Sequence, residues 1–210
     1  MSQNTGYEVP LEHRISKSQR QELQRMFELG QRILATEPDK ADEAGRRFQY
    51  CVENDPRNRI YVEAFLQAVE LVHPTAQPKK RRWFDRQNAA WKSACQADDS
   101  QGILARGPAM LVRNPWDASV LLPLVRACHT FGYLEPALRY LQNAIECSEN
   151  EVESHRLYAR TLAWTGRFST SSACWGRVLE LVPDDEESQR MRDIFECDAA
   201  VIPLDSPANA

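Results

Sequence analysis

The 210-residue sequence lacks the motifs that mark several common classes of enzyme. It contains no GxGxxG loop, no GxxxxGK loop followed by Ser or Thr, no GxSxG nucleophile elbow and no HExxH zinc pair. We therefore predict a protein that is not an enzyme and that uses no cofactor or metal. Catalytic residues can also be assembled from distant positions, so an enzyme built on an all-helical solenoid is the alternative to a binding protein.

Long apolar runs and closely spaced cysteines are missing as well. No apolar run approaches the ~20 residues of a membrane-spanning helix, and the first residues lack the apolar core of a signal peptide. The six cysteines form no CxxC pair, which would favour a zinc or redox site. A thiol among apolar helical residues acts as a small hydrophobe. We expect reduced, structural cysteines, a cytoplasmic location and no membrane association.

The chain also has no excess of positive charge. Lys and Arg number 26 against 30 Asp and Glu, and the resulting net charge of −4 does not favour nucleic acid as a partner. The exception is a basic patch beside Trp83, formed by Lys79, Lys80, Arg81 and Arg82. We interpret this patch as a solvated linker or a contact for an acidic partner. Nucleic-acid binding by this patch is the alternative.

What the sequence does contain is helical periodicity over almost its whole length, with hardly any strand signal. The polar ends 1–16 and 199–210 are expected to be flexible tails. Residues 17–73 are predicted to form a helical hairpin plus an extra helix, followed by a proline-containing linker at 74–81. Residues 82–198 are predicted to form the main helical array.

One fixed spacing along the sequence organises this array. The step from Gly132 to Gly166 recurs between pairs of apolar residues. The matched pairs include Leu134 with Phe168, Leu141 with Trp175, Ala144 with Val178, and Cys128 with Leu162. A series of matches at one spacing predicts a stack of identical structural units rather than a single irregular bundle.

The spacing and the residue pattern resemble the tetratricopeptide repeat, a 34-residue helix–turn–helix unit in which small and large residues alternate at set positions. The best copy carries Leu121, Leu124, Val125, Cys128, Ala137, Leu141 and Ala144. Further copies follow at 152–185, precede it at 84–117, and begin near Met26. The resemblance covers roughly residues 20–197. It implies an all-α solenoid of antiparallel helical hairpins, with a right-handed superhelix, about four repeats and a C-terminal capping helix.

The sequence departs from the repeat in three places. A helix at 59–73 has no following partner in register, so we predict an unpaired helix there. Pro123 lies inside a first helix and should bend it. The pair Gly107–Pro108 lies inside a second helix, where we expect a break or a late start.

In the tetratricopeptide family the first helix of each hairpin lines a concave groove. The matching positions in this sequence are Asn88, Lys92, Leu122, Arg126, His129, Arg156 and Arg160. The resemblance therefore implies a mostly basic, partly apolar groove, which would bind a peptide or helix of another protein. An acidic or C-terminal segment is the expected ligand, because the planar Arg fork can bind a carboxylate with two hydrogen bonds. Self-association is also possible.

Two observations set limits on this prediction. The family's carboxylate clamp for chaperone tails is not matched, because Pro123, Glu153 and Leu157 occupy clamp positions. The groove cations could also pair with neighbouring Asp and Glu and form an ordinary solvated face.

His129 is expected to strengthen binding at mildly acid pH by becoming positively charged.

Overall fold

The computed structural model describes residues 15–74 and 86–201, with the side chains at 86–88 and 197–201 excepted. These residues form ten α-helices and a short 3-10 helix (Pro38–Lys40), and they include no strand. The helices are α1 (Lys17–Thr36), α2 (Ala41–Asn54), α3 (Arg59–Val72), α4 (Arg86–Gln96), α5 (Ser100–Leu111), α6 (Ala118–Thr130), α7 (Leu134–Cys147), α8 (Val152–Trp164), α9 (Phe168–Leu181) and α10 (Glu186–Val201).

The predicted repeat is confirmed by where the helices begin. The second helices α5, α7 and α9 begin at the same point of three successive repeats, at Ser100, Leu134 and Phe168. From α4 onward each helix packs against the next along the chain. Helices joined by such short turns are antiparallel, so the chain is an all-α solenoid of helical hairpins. Helix α10 packs on α9 and covers the last hairpin.

The turn inside each of the three hairpins from α4 onward uses one left-handed residue. Gly132 and Gly166 have φ angles of 71° and 76°, and Asp98 occupies the corresponding place in the first of these hairpins with φ 51°. Glycine adopts this region without steric cost, and Asp is among the few other residues that tolerate it. The same sharp reversal therefore recurs once in each repeat, at the same position of the unit.

The repeat positions are the core. Among the described residues, Leu121, Leu124, Leu141, Trp175 and Val178 are fully inaccessible to solvent. The small repeat residues Ala137 and Ala144 are inaccessible as well.

One expectation about α5 is wrong. The pair Gly107–Pro108 neither breaks nor delays this helix, which runs without interruption from Ser100 to Leu111. Both residues are buried, and a Cβ added at Gly107 would lie only 2.5 Å from a methyl carbon of Leu124. Tight packing of α5 on α6 offsets the hydrogen bond that Pro108 cannot donate.

Helices α1 to α3 form a separate stack on the solenoid. Helix α3 packs against α2, the second helix of the hairpin α1–α2. Helix α3 also packs against α7, and α2 packs against α5. At the end of α3, the indole Nε1 of Trp116 donates to the carbonyl oxygen of His73 at 2.9 Å. The imidazole of His73 in turn lies 3.1 Å from the carbonyl oxygen of Val112. The extra helix α3 is thus hydrogen-bonded to the end of the 84–117 repeat.

Most of the predicted linker and the predicted tails lie outside the described residues. The first helix begins at Lys17, and the Ser16 hydroxyl accepts the N–H of Gln19 as its N-cap. Helix α10 ends at Val201.

The described cysteine side chains are free thiols. They are Cys51, Cys95, Cys128, Cys147 and Cys174. Burial raises the pKa of Cys51 to about 12, and burial also raises the pKa of Cys128. These two thiols are fully inaccessible and act as small apolar core residues, as the sequence predicted.

Candidate binding surface

The exposed sides of the first helices α6 and α8 form one continuous surface. Arg126 of α6 pairs with Glu153 of α8 at 3.7 Å. One turn further along α6, the ring of His129 contacts the ring of Trp164 of α8, with centroids 4.9 Å apart and an edge-to-face geometry. Two predicted groove residues of α6, Arg126 and His129, therefore contact α8. We call Arg126, His129, Arg160 and Trp164 the α6–α8 surface.

Arg126 has the most accessible of the arginine side chains predicted for the groove. Its side chain is 60% exposed, and its ion pair with Glu153 is long and solvated. Exposed ion pairs of this kind contribute about 0–1 kcal/mol to stability, so a ligand carboxylate could replace Glu153 at little cost. Lys92 of α4 is exposed as well.

Hydrogen bonding assigns the tautomer of neutral His129. Its Nε2 lies 2.9 Å from the hydroxyl oxygen of Thr161, while that hydroxyl donates its own proton to the carbonyl oxygen of Leu157 at 2.6 Å. The hydroxyl oxygen must then accept from His129, which assigns the ring proton to Nε2. Burial lowers the pKa of His129. The neutral imidazole is thus favoured, and its protonation needs a lower pH than for an exposed histidine.

Trp164 is the residue of this surface that the sequence pattern missed. It is 57% exposed although it is the largest kind of apolar side chain. It follows the twelfth position of its helix, just before the turn at Gly166, and so falls outside the positions that the repeat assigns to the groove. The sequence signal that could have identified Trp164 is an aromatic residue at the end of a first helix, at a position that the repeat pattern does not assign to the groove.

Two of the predicted groove cations are instead bound within the chain. Arg156 pairs with Asp185 at 2.8 Å, and Arg160 pairs with Glu187 at 2.5 Å. Arg160 also lies over the ring of the buried Trp175, 6.0 Å from its centroid. These contacts join α8 to the start of α10.

Asp185, which connects α8 to the start of α10, is itself held by hydrogen bonds. The hydroxyl and the backbone N–H of Ser188 donate to its carboxylate, and together with Arg156 they lower the pKa of Asp185. A carboxylate at the N-terminal end of a helix also stabilises that helix. Arg156 and Arg160 are therefore less accessible to a ligand than Arg126.

The other predicted residues are placed as follows. Leu122 is half-buried and packs against the core, so it contributes only part of its side chain to the surface. The side chain of Asn88 and the basic patch Lys79, Lys80, Arg81 and Arg82 lie outside the described residues.

A separate cleft of about 190 Å³ lies between the first hairpin and α5. Its polar lining includes Glu53, Asp55, Arg57 and Tyr133. Asp55 accepts from the guanidinium of Arg57 at 3.0 Å. Burial raises the pKa of both Glu53 and Asp55, and Arg57 counteracts part of this effect at Asp55. Asp55 and Arg57 of this cleft are thus satisfied by each other, and Glu53 accepts from the side chain of Gln49 at 2.7 Å.

Across the described part of the chain, no three or more His, Cys, Asp or Glu side chains are grouped so that they could hold a metal ion. No helix in the same residues has both the length and the apolar character to cross a membrane.

The fold and this surface define an all-α helical-repeat protein. No protein-family profile matches the chain, and no curated protein matches it either. Among solved structures it is similar to one described as "Crystal structure of MamA protein", with 13% sequence identity over 86% of this chain and 90% of that chain. The TM-score of 0.38 is too low for this likeness to support a conclusion about function.

Proposed function

We propose that this protein is an interaction scaffold, not an enzyme, and that its α6–α8 surface binds an acidic or C-terminal segment of another protein. The observation that carries the proposal is an exposed Trp164 on α8 that contacts His129 of α6, together with the exposed Arg126 one turn before His129. Trp and Arg are the residues that most often dominate the affinity of protein interfaces. A cytoplasmic location stays a prediction.

The two side chains would act on different parts of a ligand. The ring of Trp164 offers an apolar face that is held in place by its contact with His129. Arg126 offers a guanidinium whose present partner, Glu153, is itself 42% exposed and held only at 3.7 Å. A ligand carboxylate could bind this guanidinium with two hydrogen bonds while an adjacent apolar side chain covers the indole.

The partner can be sought with the full chain as bait in extracts of the native cell, followed by mass spectrometry. Trp164→Ala and Arg126→Ala, alone and together, should weaken binding of that partner without changing the helical content. Loss of a charge pair that is desolvated in the complex typically costs about 2–5 kcal/mol of binding free energy. Ile194→Ala on α10 and Arg46→Ala on α2 are matched controls, because they remove exposed side chains from helices that contribute no residue to this surface.

Acidic peptides with a free or an amidated C-terminus would then separate the two kinds of ligand. A strong preference for the free carboxylate identifies a chain end, and equal binding identifies acidic side chains. If the Trp164 and Arg126 double variant folds and binds the partner as the parent does, the α6–α8 surface is not the binding site.

A further inference from the structure

The two ring nitrogens of His129 have different surroundings. Nε2 donates to the hydroxyl of Thr161 at 2.9 Å, because that hydroxyl gives its own proton to the carbonyl oxygen of Leu157. Nδ1 has no hydrogen-bond partner among the described residues, and it is not one of the buried side-chain atoms that lack a partner. Solvent, or a ligand, can therefore reach Nδ1.

This open nitrogen belongs to the α6–α8 surface. The ring of His129 contacts the ring of the exposed Trp164, with centroids 4.9 Å apart. Arg126 lies three residues before His129 on the same helix, a spacing that makes the two side chains neighbours. A ligand that covers Trp164 and reaches Arg126 therefore also comes to the ring of His129.

The charge on His129 determines which ligand group Nδ1 can bind. In the neutral ring Nδ1 only accepts hydrogen bonds, so it cannot pair with a carboxylate oxygen, which is also an acceptor. In the protonated ring Nδ1 is a positively charged donor, which suits a carboxylate. Nε2 donates to Thr161 in both forms. Protonation thus adds a donor at the surface without breaking the hydrogen bond that orients the ring.

Neighbouring charges leave His129 free to respond to a ligand. Burial is the cause that lowers the pKa of His129, and no charged side chain is a further cause. Helix α6 itself carries Arg126, and it packs against α5, α7 and α8. The charged residues and the histidine on these three helices and at the N-cap of α5 are Asp99, Arg106, Glu135, Arg139, Glu146, Glu153, His155, Arg156 and Arg160. A ligand carboxylate at Nδ1 would therefore act on a ring whose pKa no acidic side chain already raises.

We propose that His129 is a proton-linked contact of the α6–α8 surface, and that its Nδ1 takes up one proton when an acidic ligand binds. This inference rests on the proposed function, because it concerns the same surface and the same class of ligand. Linkage between the proton and the ligand is reciprocal. The ligand therefore raises the pKa of His129, and its affinity increases about tenfold for each unit of that increase as the pH falls.

A synthetic peptide of alternating leucine and glutamate with a free C-terminus is the probe. Its affinity for the full chain is measured by calorimetry between about pH 7.5 and about pH 5.5, where glutamate stays ionised. The affinity of the parent should rise at least about threefold over this range. Near neutral pH, the heat of binding in buffers of different ionisation enthalpy should show that protons are taken up from the buffer.

His129→Gln should bind the peptide near neutral pH but should lose the rise in affinity. The Gln amide can donate to Thr161 as Nε2 does, and it cannot be protonated in this range. His73→Gln is the matched control, because His73 follows α3, which contributes no residue to this surface, and its removal should leave the rise unchanged. Circular dichroism at each pH reports whether the proteins are folded.

Nuclear magnetic resonance of the histidine rings gives a second measurement. In the free protein, neutral His129 should carry its proton on Nε2. Saturation with the peptide should raise the pKa of His129 and leave the pKa of His73 unchanged.

The results distinguish failure of this inference from failure of the proposed function. Suppose that the Trp164 and Arg126 double variant loses the peptide while the parent binds it equally at each pH. The surface is then a binding site, and the inference about His129 is wrong. An affinity that falls on acidification also overturns the inference, since the ligand would then donate to neutral Nδ1. An equal rise in His129→Gln overturns it as well, because another group would be titrating. If the peptide binds at no pH, or the double variant binds it as the parent does, the proposed function fails and this inference fails with it.

Discussion

The guanidinium of Arg139 on α7 binds the carboxylate of Glu70 on α3 at 2.7 Å, across 69 positions of the chain. Arg139 also pairs with Glu63 at 3.1 Å and donates to Asn143, whose amide donates to Glu70 at 2.8 Å and to the carbonyl oxygen of Pro115 at 3.2 Å. The side chain of Arg139 is only 10% exposed. This network fixes the first three helices to the solenoid.

Removal of Arg139 should therefore destabilise the protein strongly. Arg139→Ala leaves Glu63, Glu70 and the buried Asn143 without their shared partner, and loss of one member of a buried ion pair typically costs about 3–5 kcal/mol. Because Glu63 is a third exposed, we expect the lower end, about 3 kcal/mol, in urea unfolding. Arg46→Ala is the control: its pair with Asp42 is exposed on both sides, and should contribute less than about 1 kcal/mol. Equal costs for the two variants would show that the network does not stabilise the junction.

Glycine substitutions should have opposite effects at two helical positions. Gly107→Ala places a methyl group 2.5 Å from Leu124, and such overpacking typically costs about 1–3 kcal/mol. Gly176→Ala meets no atom within 4 Å, so its higher helix propensity should add up to about 1 kcal/mol of stability. Thermal unfolding of both variants measures the difference. A stabilising Gly107→Ala would mean that α5 and α6 do not approach as closely as described.

The left-handed turn residue of the α4–α5 hairpin offers a stabilising substitution. Asp98 adopts a φ of 51° where the next two hairpins have glycine, and this region costs most non-glycine residues about 1–2 kcal/mol and Asp somewhat less. Asp98→Gly should therefore raise the thermal midpoint, although the more flexible unfolded chain offsets part of the gain.

The reverse change at the equivalent position is the control. Gly132→Ala should lower the thermal midpoint, since its Cβ has free space around it and only the backbone conformation opposes it. A lower midpoint for Asp98→Gly would mean that the Asp98 side chain contributes more than its backbone strain costs.

His129 should make stability depend on pH. Burial lowers its pKa in the folded protein below the 6.5 of an ordinary histidine, so the unfolded chain binds more protons between these two values. The stabilising effect of a neutral His129 is therefore complete above pH 6.5 and is lost as the pH falls through the folded pKa.

Urea unfolding near neutral pH and at mildly acid pH tests this effect, with His129→Gln for comparison. The parent should lose more stability on acidification than the variant does. Glu53 and Asp55 have raised pKa values and contribute in the opposite sense, but they are present in both proteins and cancel in the comparison. Parallel losses in the two proteins would show that His129 titrates normally.

The sequence by itself determined the repeat. Apolar residues at one recurring spacing and turn glycines such as Gly132 and Gly166 are local features, and each hairpin forms from residues close together in the chain. N-cap chemistry was also local: Asp117 accepts from Ser119 at 3.0 Å at the start of α6, as an N-cap residue should. Pattern and structure agree wherever the interactions span a single repeat.

Only the tertiary structure decided what the charged and exposed residues do. Arg126, Arg156 and Arg160 are all assigned to the groove by the sequence pattern, yet Asp185 and Glu187 at the start of α10 bind the last two and leave Arg126 more accessible. The partner of Arg139 lies on a helix outside its own repeat. A repeat pattern assigns residues to a face of a helix, but long-range packing determines which neighbour reaches that face, and therefore which side chains remain for a ligand.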